Sequence, residues 1–107
     1  YRIEEPERSL LLFIRKKILE SDPENITETL SFGLPFLKYK KKMLCYLYYS
    51  KKYKQHYVSF YHGDRLDYPE LIQDGRKKFK ILLIDPNKDL NLILILELLD
   101  EIKRHIK

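Results

Sequence analysis

Tyrosine and lysine residues in the middle of the chain form the strongest chemical pattern of this sequence. Residues 36–63 contain seven lysines and no acidic residue, together with nine of the fourteen aromatic residues. A sheet that displays aromatic rings beside lysines can stack nucleic-acid bases and neutralise phosphates, as single-strand binders do. The candidate polyanion-binding residues are Lys38, Lys40, Lys42, Lys52, Lys54, Tyr48, Tyr57 and Tyr61.

The same residues also have an ordinary structural explanation. Aromatic residues are common in strands, and lysine protects sheet edges and hairpin tips against aggregation. The chain has 15 Lys against 6 Arg, no Ala and one Val, a usage expected from a coding sequence rich in A and T. Arg, rather than Lys, provides the bidentate fork that favours phosphate contacts. Both explanations therefore stay open at the level of sequence.

Length and composition set the class of protein. With 107 residues and 44% hydrophobic residues, the chain is expected to form one domain over residues 1–107 with its own core. A single cysteine, Cys45, cannot form an intramolecular disulfide, which favours a cytoplasmic location. No apolar run reaches the roughly 18 residues of a membrane span. Three scattered glycines exclude a Gly-rich phosphate loop and no nucleophile elbow is present, so we expect no catalysis.

Three helices and one shorter helical segment are predicted. Apolar spacing indicates a first helix over residues 6–20 and a long C-terminal helix capped by Asp89. A shorter second helix is expected between the first helix and the strands, with Asp22 as its N-cap and Gly33 as its left-handed C-cap. One or two helical turns are also expected over residues 68–73.

Alternating patterns between these helices predict strands over residues 36–40, 43–49, 55–62 and 78–84. In the second strand, alternation places Cys45 on one face and Leu44 on the other. The inward side chains of the last two strands are expected to be His56, Val58 and Phe60, then Phe79, Ile81 and Leu83. The predicted fold class is α+β: an antiparallel sheet of about four to five strands with two N-terminal helices and a long C-terminal helix packed on it.

Residues 23–36, with the sequence PENITETLSFGLPF, resemble a family signature. In that family a Pro-Glu helix runs into an aromatic-Gly-hydrophobic-Pro turn, a short strand, a Lys-bearing turn and an aromatic strand. The segment 54–61, KQHYVSFY, is similar to its Lys-x-His-hydrophobic strand. The chain thus resembles the YdhG-like family, also called domain of unknown function 1801, over residues 6–106. Lys41 departs from it, because the family's hairpin turn usually has Gly there. The matching structural positions are Gly33, Pro35, His56 and Gly63.

The resemblance implies a small cytoplasmic bacterial protein that binds or chaperones a ligand without catalysis. Most members have no established activity, and one is described as a frataxin-like iron chaperone, so iron is the ligand that the family offers. Iron carried in this way would need hard oxygen ligands. The candidate metal ligands are Glu24 and Glu28, which are spaced i and i+4 on the predicted second helix.

The remaining metal-binding and nucleophilic side chains have mainly structural interpretations. His56 and His62 are about 20 Å apart on one strand at roughly 3.3 Å per residue, too far to share one metal ion. His62 and Asp64 could form a loose site at the end of that strand. Cys45 is expected to be a buried, inert thiol.

The C-terminal helix raises the question of a partner. Ile93 and Leu94 widen its apolar stripe. A helix that crosses the centre of the sheet explains this width, but so would a homodimer contact or a missing neighbouring domain. The partner of the chain, whether a second copy, a nucleic acid or another ligand, is unknown from the sequence.

Overall fold

The computed structural model describes residues 7–31, 34–73, 75, 77–85, 88 and 91–105. In chain order the helices and strands are α1 (Glu7–Ser21), β1 (Ile26–Ser31), β2 (Leu34–Tyr39), β3 (Lys42–Ser50), β4 (Gln55–Tyr61), β5 (Phe79–Ile84) and α2 (Leu92–Lys103). A 3-10 turn, Gly63–Arg65, lies between β4 and β5.

The five strands form one antiparallel sheet in the order β1-β2-β3-β4-β5. Each strand pairs with its neighbour in the chain, so the sheet is a meander of hairpins. The predicted α+β class and the antiparallel sheet of five strands are confirmed. The C-terminal helix is confirmed as well, and it covers β3 and β4.

Both described helices pack on the same side of the sheet, which we call the helix face. Ile14 and Ile18 of α1 and Leu98 of α2 are fully buried there. They share one apolar core with side chains of all five strands. The strand residues in this core are Ile26, Leu37, Leu44, Cys45, Leu47, Val58, Phe60 and Ile84.

The predicted second helix over residues 22–33 is wrong, because this segment contains β1. Ile26 is buried while Thr27 and Thr29 are exposed, which is the period of two of a strand. Pairing with β2 satisfies the backbone groups that a short helix would leave open at its ends. Asp22 does not cap a helix; its carbonyl oxygen accepts the N–H of Ile26 in a turn (2.9 Å). The predicted cap Gly33 lies outside the described residues.

A β-bulge explains why alternation fails in β3. Leu37 pairs with Cys45, but Lys38 pairs with Met43, so Leu44 is an extra residue of β3. A bulge locally disrupts the ladder and the alternation of side chains. Leu44 and Cys45 both enter the helix-face core, and the opposite placement predicted for Leu44 is wrong.

The helix-facing side of β5 differs from its prediction. Phe79, Ile81 and Leu83 point away from the helices, and the alternate residues from Lys80 to Ile84 point toward them. Ile81 is nevertheless fully buried, as predicted for an inward residue. Lys80 is accommodated because its ammonium group reaches a loop carbonyl oxygen at 2.7 Å. The inward set predicted for β4, with Val58 and Phe60 in the core, is confirmed.

The segment between β4 and β5 contains a turn where helix was predicted. Over residues 68–73, the N–H of Leu71 donates to the carbonyl of Tyr68, and Ile72 forms an isolated bridge with Ile81 at the edge of β5. The predicted helical turns are therefore wrong, because this segment takes its backbone partners from the sheet. Within the described ranges, neither helix combines the length and apolarity needed to cross a bilayer.

The N-cap of α2 lies two residues after the predicted one, at Asn91 instead of Asp89. Asn91 caps the helix, and its side-chain oxygen accepts the N–H of Leu94 at 3.0 Å. The predicted cap, Asp89, lies outside the described residues. Of the two residues proposed for a dimer contact, Leu94 is only 7% exposed and Ile93 is 81% exposed. The predicted pair therefore does not form a joint surface.

Candidate functional site

The side of the sheet opposite the helices is covered with aromatic rings, and we call it the open face. Directly paired residues of antiparallel strands point to the same side, which identifies its members. No described helix packs on this side. The open face includes Phe36, Tyr46, Tyr48, Tyr57, Ser59, Tyr61, Phe79, Ile81 and Leu83, together with Thr27, Thr29, Lys38 and Met43 toward the β1 edge.

The rings form a continuous row across the strands. The ring centroids of Phe36 and Tyr46 are 5.0 Å apart, those of Tyr46 and Phe79 are 5.6 Å apart, and those of Phe79 and Tyr61 are 5.2 Å apart. Tyr46 and Phe79 meet over β4 because the residue that lies between their strands is the small Ser59. The row therefore runs from β2 to β5 without interruption.

The three tyrosines predicted to bind a polyanion do share this face, but they differ in access. Tyr48 is 40% exposed and Tyr61 is half-buried. Tyr57 is only 3% exposed, because it is enclosed by the rings of Tyr46 and Tyr48 at 6.2 and 6.4 Å. Tyr48 and Tyr61 can thus offer a surface to a ligand, whereas Tyr57 supports the rings around it.

The predicted lysines lie in two groups at opposite ends of the sheet. Lys38, Lys40 and Lys42 surround the β2–β3 hairpin, and Lys52 and Lys54 belong to the β3–β4 hairpin. All of them are exposed except the half-buried Lys38. The two groups are separated by the length of β3, about 26 Å at roughly 3.3 Å per residue. The aromatic surface therefore lies between two positively charged ends.

Three hairpin lysines have left-handed backbone conformations. The φ angles are 50° at Lys40, 69° at Lys41 and 55° at Lys54. Tyr39 pairs with Lys42, so Lys40 and Lys41 form a two-residue turn with positive φ at both positions, where Asn and Gly are preferred. A non-glycine residue in this region costs roughly 1–2 kcal/mol. Lysine thus occupies positions at which glycine or asparagine would be less strained.

Acidic side chains are absent from the described part of the open face. The five strands contain one acidic residue, Glu28, and it points to the helix face with its pairing partner Leu37. There it forms a two-pronged ion pair with Arg15 of α1. This hydrogen-bonded partner raises the pKa of Arg15. The ion pair therefore joins α1 to β1 and leaves the open face without negative charge.

The two predicted metal ligands are not brought together on a helix. Glu24 is exposed in the turn before β1, and Glu28 lies within β1 with a guanidinium as its partner. The i,i+4 geometry on which the prediction depended is therefore wrong. Among the described residues, no group of three or more His, Cys, Asp or Glu side chains is placed to hold a metal ion.

Three of the four positions matched to the family signature are described, and each lies in the sheet or in the turn that follows β4. His56 is buried on the helix face with its ring 4.9 Å from that of Tyr49. Pro35 lies in β2 and pairs with Leu30, whereas Gly33 is outside the described residues. Gly63 is buried and lies two residues after the end of β4.

Cys45 has the surroundings of an inert thiol. It is fully buried in the core, and this burial raises its pKa far above the usual value. A buried thiol that is not ionised is neither a nucleophile nor a metal ligand at neutral pH.

Sequence reasoning missed Phe36, Tyr46, Ser59 and Phe79 as members of the site. Phe36 and Tyr46 are within the aromatic segment, but the face that they share with Tyr48 could not be distinguished from a second core face. Phe79 was assigned to the core. The signal that could have identified the set is Ser59, because one small residue in an aromatic strand marks a position where neighbouring rings meet.

Comparisons with known proteins add no family to this description. A scan against protein-family models, a search of curated proteins and a search of solved structures each found no match to this chain.

Proposed function

We propose that this protein binds single-stranded nucleic acid on the open face of its sheet. The observation that carries the proposal is the row of aromatic rings between two lysine groups, on a face that no described helix covers. Bases stack on such rings whatever their sequence, since every base has a π-face. The function is therefore binding without catalysis and with little base specificity.

The charge distribution supports a polyanion rather than an apolar partner. The open face lacks acidic residues among its described members, and exposed lysines lie in the hairpins at both ends of its strands. Lys38 belongs to the open face itself, whereas Lys42 pairs with Tyr39 on the helix side. The length of β3, about 26 Å at roughly 3.3 Å per residue, allows one strand of nucleic acid to reach both groups. Its bases would contact Tyr48 and Tyr61, the accessible tyrosines.

Fluorescence anisotropy with a labelled thymidine oligonucleotide of about 12 nucleotides tests the proposal. We expect binding that weakens as salt rises, with a slope of log K against log salt of about −0.7 for each phosphate neutralised. Tyr48→Ala should weaken binding at least about fivefold, since one stacked base contributes roughly 1–3 kcal/mol. Lys52→Gln should reduce the salt slope.

Phe13→Ala is the matched control for Tyr48→Ala. Phe13 is 43% exposed, nearly the same as Tyr48, but it lies on α1 away from the sheet. The control should bind as the unmodified protein does. Absence of binding at low salt, a salt-independent affinity, or equal losses in the two variants would contradict the proposal.

The relation to the YdhG-like family and the iron-chaperone role that it implies stay predictions. The nucleic-acid proposal does not depend on them, because it derives from the open face alone. Calorimetry with ferrous iron tests the iron role separately.

A further inference from the structure

Two histidines from distant parts of the chain come together at the end of β4. His62 follows the last residue of β4, and its ring centroid lies 4.2 Å from that of Tyr61 on the open face. The ring of His105, just beyond α2, lies 6.4 Å from that of His62. His105 is exposed and His62 is half-buried, so both imidazoles are accessible from solvent.

Backbone contacts hold this corner in place. The N–H of Gly63 donates to the carbonyl of Lys78, and the N–H of Arg65 donates to the carbonyl of His62, both at 2.9 Å. Gly63 also allows a close approach, since a Cβ there would lie 2.3 Å from the backbone nitrogen of Lys80. The position of His62 relative to β5 is therefore set by the backbone.

The charges around His62 are mostly positive. Arg65, Lys78 and His105 act on it electrostatically, and Asp64 is the opposing acidic group. Partial burial together with these cations lowers the pKa of His62. Arg104, next to His105, is paired with Glu101 at 2.8 Å. Within the described residues, the groups that influence His62 thus combine three potential cations with one carboxylate.

This composition favours an anion over a metal ion. Two neutral imidazoles could coordinate a metal, but a cation placed there would be repelled by Arg65 and Lys78. A phosphate oxygen, in contrast, accepts hydrogen bonds from guanidinium, ammonium and protonated imidazole groups, and charge-assisted bonds of this kind are the stronger ones. The location beside Tyr61 places such a phosphate next to a base stacked on the open face.

We propose that His62 and His105, with Arg65 and Lys78, form a phosphate-binding site at the end of the open face. The assignment of this phosphate to a nucleic-acid strand rests on the proposed function, whereas the anion site itself does not. A bound phosphate favours protonated imidazole, so binding takes up protons and strengthens as the pH falls from about 7.5 to about 5.5.

Proton NMR of the imidazoles tests the site directly, with sulfate as a tetrahedral anion that does not titrate in this range. The His62 titration midpoint is measured in sulfate and in chloride at equal ionic strength. We expect sulfate to raise it by about half a pH unit, which corresponds to a roughly threefold preference for the protonated ring. Buried His56 on the helix face is the internal control and should not shift.

Variants connect this site to the nucleic acid. His62→Asn suits the left-handed backbone at this position, where φ is 61°, and should preserve the fold. This variant and His105→Gln should each reduce the gain in oligonucleotide affinity between about pH 7.5 and 5.5 by at least about half. Circular dichroism confirms that each variant is folded.

The outcomes separate the two proposals. A sulfate-induced shift of His62 without any oligonucleotide binding supports the anion site and overturns the nucleic-acid function. Oligonucleotide binding with the same pH dependence in the variants, or equal His62 midpoints in sulfate and chloride, overturns the phosphate site and leaves the nucleic-acid function standing.

Discussion

Gly63 is the residue on which the packing between the end of β4 and the start of β5 depends. No side chain fits there, because a Cβ would lie 2.3 Å from the backbone nitrogen of Lys80 and 3.0 Å from its Cα. Backbone atoms cannot move aside as the end of a flexible side chain can. This close approach is a sufficient physical reason for a glycine at position 63.

Gly63→Ala is expected to lower the free energy of unfolding by on the order of 2 kcal/mol, through a steric clash with the backbone. Urea denaturation measures this loss. Gly75→Asn is the control, because a Cβ at Gly75 meets no atom within 4 Å and asparagine tolerates its φ of 72°. A loss at Gly63 no larger than that at Gly75 would show that the corner adjusts without strain.

At the scale of elements, the β2–β3 hairpin combines strain with positive charge. Lys40 and Lys41 occupy a turn that prefers Asn and Gly. Strained backbone conformations tend to persist at functional sites. The β2–β3 hairpin therefore places two strained, positively charged residues at this end of the sheet.

Lys41→Gly should separate stability from binding. We expect the free energy of unfolding to rise by about 1 kcal/mol, since glycine adopts positive φ without a steric penalty. Oligonucleotide affinity should fall at low salt, because one phosphate contact is lost. Lys88→Gln, which removes an exposed charge outside the strands, is the charge control. Higher stability with unchanged affinity would mean that this lysine has no part in binding.

The elements that the sequence predicted well are those with a single consistent pattern. β4 alternates between two turns, and α1 carries Ile14 and Ile18 at helical spacing. β1 was missed because Asp22, Pro23 and Gly33 imitate the start and end of a helix, while its strand structure depends on pairing with β2. Local signals cannot reveal a partner strand.

The site was less predictable than the fold for a related reason. Both faces of β3 and β4 are apolar: Cys45 and Val58 lie on the helix face, and Tyr46 and Tyr57 on the open face. Periodicity shows which side chains share a face, but it does not show which face the helices cover. The choice depends on the packing of α1 and α2, so the exposure of Tyr48 could be seen only in the folded chain.

For the molecule as a whole, protonation of His62 links stability to pH. Burial and neighbouring cations lower its pKa in the folded protein below the usual 6.5. Between the folded and unfolded pKa values the unfolded chain therefore binds more protons, and stability falls as the pH falls through this window.

Urea denaturation at about pH 7.5 and about pH 5.5 measures this loss. We expect a lower free energy of unfolding at the acidic pH, and a smaller difference in His62→Asn. For the unmodified protein, sulfate should also reduce the difference in free energy of unfolding between the two pH values, since it favours the protonated ring in the folded state. A variant that loses as much stability as the unmodified protein would show that other groups cause the pH dependence.

The meander order of the strands has a consequence for how the chain reaches its fold. Every strand pairs with its sequence neighbour, so the sheet can assemble one strand at a time, and only the connection from β4 to β5, residues 62–78, is long. The helix face is different, because α2 is the last described element and supplies fully buried residues such as Ile95 and Leu98. During synthesis α1 is available from the start, but the part of the helix face under α2 stays uncovered after the sheet is complete, and it exposes apolar surface until α2 has emerged from the ribosome.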